Sequence, residues 1–256
     1  MKKDYFFQIF KIISICVITI MLNNSCSVVN LSKDNNNKNI VKTLGDLAYD
    51  ANKKEEGYTI YISENKKLIP YFVLTKDYGK SALLLRKEIL EDNCVFDKNG
   101  NSYYENSTVD LFLNQDFYQR YPDEIKNIIV NSEIFITQDM PHWNSTKSIK
   151  RKVFLLSCTE LHIGSGLHTK EGVPLEYFSV SKNKEAKLEG KNVCWGLRST
   201  YIGSSGLSWS VSSDLTVGGG GVQQEIGIRP AICISADTQI ECIKSNGELI
   251  YIIGES

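Results

Sequence analysis

Two arginines set in apolar segments make the clearest chemical demand in this sequence. Arg198 lies in "NVCWGLRS" (192–199) and Arg229 in "GIRPAICI" (227–234). In strand geometry, Ile228, Pro230, Ile232 and Ile234 share one face, while Arg229, Ala231 and Cys233 share the other. Trp195 and Leu197 likewise share a face, with Gly196 and Arg198 opposite. Both faces of the second segment are mostly apolar, so it is expected to be covered on both sides. Pro230 has no N–H to give a ladder and marks an irregular or edge position. A buried cation left unpaired is costly, so each arginine must find carboxylate or carbonyl partners. Glu160, ending "FLLSCTE", is the first candidate partner and Asp110 the second. A permanently charged, forked guanidinium suits the anchoring of loops and not proton transfer.

Other chemistry is thinly represented. The sequence has three histidines, His142, His162 and His168. "ELHIGSGLH" brings Glu160, His162 and His168 together, but one flexible loop without a fourth ligand is a weak metal site. Both histidines are expected as loop residues near the surface. Gly218–Gly221 has no helix start after it to hold a phosphate, so it reads as a hairpin loop. No G-x-S-x-G, H-E-x-x-H, phosphate-binding loop or paired Rossmann glycines occur. The sequence therefore calls for no catalytic residue, no metal and no cofactor, and leans away from an enzyme.

The elements that must position these residues follow from the pattern of the chain. Of 256 residues, 42% are hydrophobic and the net charge is -1, which gives no basic footprint for nucleic acid. Lys2 and Lys3, the apolar run Ile12–Leu22 and the small residues before Cys26 have the layout of a secretory signal. The run is too short to span a bilayer core, which takes roughly 20 residues. Cys26 resembles the cysteine of a bacterial lipoprotein cleavage box, although Leu22 stands four residues before it and not three. Residues 1–26 are thus expected to leave as a signal, with lipid on Cys26 or simple secretion. Either outcome places the mature chain outside the cytoplasm. Residues 27–39, rich in asparagine, read as a disordered tether.

One domain is expected over 40–256. "TLGDLAYDANKK" reads as a short helix capped by Thr43. "YTIYIS" (58–63), "YFVLT" (71–75) and "ALLLRKEIL" (82–90) read as strands, with turns at Asn65 and Gly79. Ser107 caps a helix with Val109, Phe112, Leu113, Phe117 and Tyr121 on one face, and Pro122 opens a second helix through 134. "KVFLLSCTEL" (152–161) and "LSWSVSSDLTV" (207–217) read as strands, and Asn246-Gly247 as a hairpin turn. Helices grouped early and strands late indicate an α+β fold.

Taken in order, "NSTVDLFLNQDFYQRY", "KVFLLSCTEL", "WGLRST" and "GIRPAICI" resemble an uncharacterised bacterial surface-domain family with W-W-L-R-S and G-V-R-P-A signatures, over about 58–235. That family is distantly similar to the C-type-lectin-like fold of the formylglycine-generating sulfatase-modifying enzymes. Trp195, Arg198, Arg229 and Pro230 match its arginine motifs, while Gly196 stands where a second tryptophan is usual. The resemblance implies a fold and not an activity. The sugar-binding calcium motifs of true lectins are missing, and Cys233 and Cys242 lack the spacing of the copper-holding pair. Those two cysteines are instead expected to form a disulfide across a hairpin centred on Asp237-Thr238. The implied protein is a non-catalytic binding or adhesion module outside the cytoplasm, tethered to a membrane if Cys26 is lipidated. Its partner would be a protein or a glycan, met by variable loops in which Tyr201 and Trp209 stack on the ligand, unless Trp209, which alternates with Val211, faces the core. The alternatives are an enzyme of sulfatase-modifying descent or a structural subunit of a surface assembly.

Overall fold

The computed structural model describes residues 42–92, 94–164, 166–245 and 248–253. The expected signal, Cys26 and the tether at 27–39 lie outside the described residues. Among the described residues, no helix is long and apolar enough to cross a membrane.

The chain starts with β1 (Lys42–Thr43) and a meander of β2 (Thr59–Glu64), β3 (Lys67–Tyr78) and β4 (Ser81–Arg86). Each meander turn has two residues, Asn65-Lys66 and Gly79-Lys80, all four with φ between 47° and 70°. Positive φ at both central positions is the turn whose twist matches that of the flanking strands. After β5 (Cys94–Val95) come α1 (Thr108–Phe112) and α2 (Asp123–Ile128), then β6 (Ser132–Thr137), β7 (Thr146–Arg151) and β8 (Val153–Phe154). The last third holds the short β9 (Lys187–Leu188) and β10 (Lys191–Asn192), then β11 (Trp195–Thr200), β12 (Leu207–Val211) and β13 (Val217–Gly221). It closes with β14 (Glu225–Ile226), β15 (Ala231–Ile234), β16 (Gln239–Ser245) and β17 (Glu248–Ile253).

An eight-stranded sheet in the order β1-β16-β17-β2-β3-β4-β15-β8 is the backbone of the fold, and only β17 against β2 is parallel. The α+β class thus holds, with mainly antiparallel strands. Residues 71–74 of β3, 81–85 of β4 and all of β15 are buried, so the middle of the sheet is covered on both faces. That accounts for the unbroken apolar runs there. Arg229 and Pro230 sit just before β15, so the proline begins a central strand without costing it a ladder bond.

Ser107 caps α1, its hydroxyl accepting from the Asp110 N–H at 3.3 Å. Val109, Leu113, Phe117 and Tyr121 are buried at four-residue steps. On a 3.6-residue helix such steps drift by roughly 40° each. The chain opens into a wider π turn over Leu113–Phe117, which returns the four side chains to one side.

Several expectations are corrected. The helix expected through 134 stops at Ile128, because buried Ile129 bridges to Ile234 and the Val130 N–H donates to the Cys233 carbonyl at 2.8 Å. Strand β6 follows, alternating buried Ser132, Ile134 and Ile136 with exposed Glu133 and Phe135. Only Val153–Phe154 of "KVFLLSCTEL" is strand. The early "TLGDLAYDANKK" helix shrinks to a single 3-10 turn, Leu44–Leu47. The expected strand at 207–217 is a strand and a turn. Gly218–Gly221 is no loop but part of β13, with Gly219 paired to Trp209 and Gly220 to Ser208.

Candidate functional site

Arg198 is fully buried and ties four segments together. Its two terminal nitrogens reach the Glu160 carboxylate at 2.7 and 2.8 Å, a bidentate pair. The same guanidinium donates to the carbonyls of Phe135 at 3.0 Å and Leu155 at 2.7 Å. Glu160 also accepts from the Tyr78 hydroxyl at 2.7 Å and the Ser157 N–H at 2.9 Å. Burial is the largest single influence and pulls the Arg198 pKa down, but the charge and hydrogen bonds of Glu160, with Tyr78 and Glu171, together lift the guanidinium above its ordinary value. Asp110, the other partner considered for the arginines, is held instead by Arg151.

A second buried carboxylate completes the cluster. Glu171 accepts from the main-chain N–H and hydroxyl of Thr137 at 2.6 and 2.7 Å, and from the Ser199 hydroxyl at 2.5 Å. Burial pushes its pKa up, against the pull of Arg198 and of these donors. Among the described residues, no buried side-chain nitrogen or oxygen lacks a hydrogen-bond partner.

Arg229 is buried and, among the described residues, meets no carboxylate. It donates to the carbonyls of Arg86 at 2.9 Å and Glu185 at 3.4 Å. Its guanidinium lies 5.1 Å from the Trp195 ring and 5.9 Å from the Phe72 ring, a desolvated cation–π box. Burial lowers its pKa to about 10. Trp195 is fixed in turn by its indole N–H, which donates to the Lys184 carbonyl at 2.9 Å. The two arginine motifs run side by side, since Trp195 and Gly227 form a parallel bridge.

The expected ligand aromatics are mostly inward. Trp209 is 9% exposed, and its indole N–H donates to the Leu167 carbonyl at 3.1 Å. Tyr201 is half-buried and leans on Trp209 at 5.1 Å between ring centres. Trp209 is therefore a core residue and not a stacking platform; Tyr201 alone retains substantial exposure. His168, expected near the surface, is buried edge-on against Trp209 at 5.7 Å and held by the Thr169 carbonyl at 2.9 Å. His162 is exposed, as expected of a loop residue.

The disulfide expectation is also corrected, for Cys233 and Cys242 are both free. Four strands separate β15 from β16 in the sheet, so no hairpin sets the two cysteines opposite each other. Buried Cys233 is pushed up to about 12 and Cys94 to about 11 by desolvation, and Cys158 is also raised. Native labelling with an alkylating reagent, read by peptide mass mapping, should mark exposed Cys242 rapidly and Cys158 and Cys233 only after denaturation. Labelling of Cys233 at the rate of Cys242 would contradict this placement.

Sequence reasoning missed a groove of about 460 Å³ beside α1. Asp110 and Arg151 face each other there with two contacts of 2.7 Å. The walls are Asn114, Tyr118 and the consecutive cations Lys150, Arg151 and Lys152, with Asn106 and Asn131 on the lining. The "KRK" run at 150–152 was the available signal. The chain matches no curated protein and no solved structure. Residues 79–236, which carry both arginine motifs, the buried carboxylates and the groove, match one family profile, and the chain accordingly belongs to the family described as Domain of unknown function (DUF6273).

Proposed function

We propose that this chain is a non-catalytic binding or adhesion module with a C-type-lectin-like core. It acts outside the cytoplasm and is anchored through lipid on Cys26. The observation that carries the reading is the saturation of the buried ionic cluster. Arg198, Glu160 and Glu171 spend their hydrogen-bonding capacity on Phe135, Leu155, Ser157, Thr137 and Ser199, all groups of the protein itself. Charges used in this way hold loops in place and are poorly disposed to take up or release a proton from a ligand. Strand β11 carries Arg198, and the clasped segments reach from β6 through the 155–171 loops. A rigid sheet displaying long, fastened loops suits recognition, because the ordering cost is met before the ligand arrives.

The reading is tested by screening the full chain against arrayed glycans and arrayed surface proteins. Saturable binding to a defined glycan or protein class is the expected outcome. Capture of nothing in either set, or turnover of a bound molecule, overturns it.

A further inference from the structure

We infer that the groove between α1 and β7 is a binding site for an anionic oligosaccharide, one carrying carboxylate or sulfate groups. The inference rests on the binding-module reading and names the ligand class of that module.

The argument begins with charge. Three consecutive cations, Lys150, Arg151 and Lys152, line the groove against a single carboxylate, Asp110. Asp110 is buried, and both its oxygens are engaged by Arg151, with the Asn106 N–H adding a third contact at 2.9 Å. Its charge is therefore matched to Arg151 alone. Lys152 donates to the Tyr118 hydroxyl at 2.6 Å and the Lys126 carbonyl at 3.3 Å, both neutral acceptors. Lys150 lies opposite exposed Glu133 in the β6–β7 ladder, yet among the described residues neither Lys150 nor Lys152 forms a salt bridge. The groove keeps a net positive field that an anion can neutralise.

The second step separates a sugar from a peptide. An acidic peptide laid along this wall as an added strand would need free main-chain groups. Four of those groups, the Lys150 carbonyl, the Lys152 N–H and both main-chain groups of Val153, are taken. The Asn114 side-chain oxygen accepts from the N–H of Lys152 at 3.3 Å and of Val153 at 3.2 Å, and its amide donates to the Val153 carbonyl at 2.9 Å. Arg151 covers the Lys150 carbonyl at 2.9 Å. The residues on the lining carry the ammonium groups of Lys150 and Lys152, the amides of exposed Asn106 and Asn131, and the half-exposed apolar side chain of Leu111. Amides pair with hydroxyls, ammonium groups with carboxylate or sulfate, and an apolar flank with the C–H face of a sugar ring. Asn114 also locks the wall, so little order remains to be imposed on binding.

The test measures calorimetric binding of the full chain to an oligogalacturonate and a heparin-derived oligosaccharide, with neutral galactan fragments and oligoglutamate as comparators. One acidic sugar should bind at least tenfold more tightly than galactan, weaken with added salt, and lose tenfold or more in Lys150→Glu. Asn131→Ala should weaken it less. Both sites are exposed, so unchanged thermal unfolding is the control for folding. The two acidic probes distinguish carboxylate from sulfate as the recognised group. Equal binding of galactan, undiminished binding in Lys150→Glu, or no binding of either acidic sugar overturns the groove assignment. Preferential binding of oligoglutamate reassigns the groove to an acidic peptide. If other glycans or proteins are captured and Lys150→Glu leaves them unaffected, the binding-module reading stands while this site falls.

Discussion

Arg198→Met is expected to destabilise the protein by about 3–5 kcal/mol, the usual cost of removing one partner from a buried ion pair. The loss is large because of what stays behind. Glu160 would remain fully buried with only the Tyr78 hydroxyl and the Ser157 N–H to solvate a whole charge. The carbonyls of Phe135 and Leu155 would lose their donor at the same time. Adding Glu160→Gln should therefore recover part of the loss, since the orphaned charge goes with it. Arg229→Met should cost less, about 1–3 kcal/mol, because it strands two neutral carbonyls and no carboxylate. Denaturant midpoints of the four proteins measure the order. An Arg198→Met variant within about 1 kcal/mol of the parent, or a double variant weaker than the single one, would contradict the pairing.

Gly227→Ala is the second large effect, expected at about 3 kcal/mol. A Cβ at this position would lie 2.4 Å from the Cys194 carbonyl oxygen, main-chain rather than a side-chain tip, and 3.0 Å from two carbons of Ile89. Relief requires strand β11 to retreat. Retreat breaks the bonds from the Gly196 N–H to the Gly227 carbonyl and from the Gly227 N–H to the Cys194 carbonyl. Trp195, which roofs Arg229, would move with it. Unfolding midpoints and the near-ultraviolet tryptophan signal should both shift. Gly196→Ala is the contrast: its Cβ meets Ile226 Cδ1, the free end of a flexible side chain that can turn aside. If the two variants were equally mild, close backbone approach would not explain Gly227.

Arg198 with Glu160 was readable in advance because a charge in an apolar run must be answered by a nearby charge or carbonyl. The turns at Asn65 and Gly79 were readable for a similar local reason, positive φ in a two-residue hairpin. Tyr78 and Glu171 were not: Tyr78 reaches Glu160 from 82 positions away, and Glu171 stands in a polar loop with no apolar run to mark it as buried. The glycines of β13 misled because propensity counts them against a strand, whereas pairing with Ser208, Trp209 and Ser210 uses only their main chain. Asp110 misled in another way. Its chemistry was right for an arginine, but β7 brings Arg151 to it before either expected partner.

The order of the large sheet has a practical result for anyone trimming this protein. The stretch shared with the family, 79–236, supplies β4, β15 and β8, while β1, β2, β3, β16 and β17 come from outside it. Cut at those limits, the fragment would present β4 as a long bare margin of apolar residues, the kind that recruits foreign strands and clumps. The span matched to the family and the unit that can fold by itself thus have different borders here, and only the wider one encloses a complete sheet.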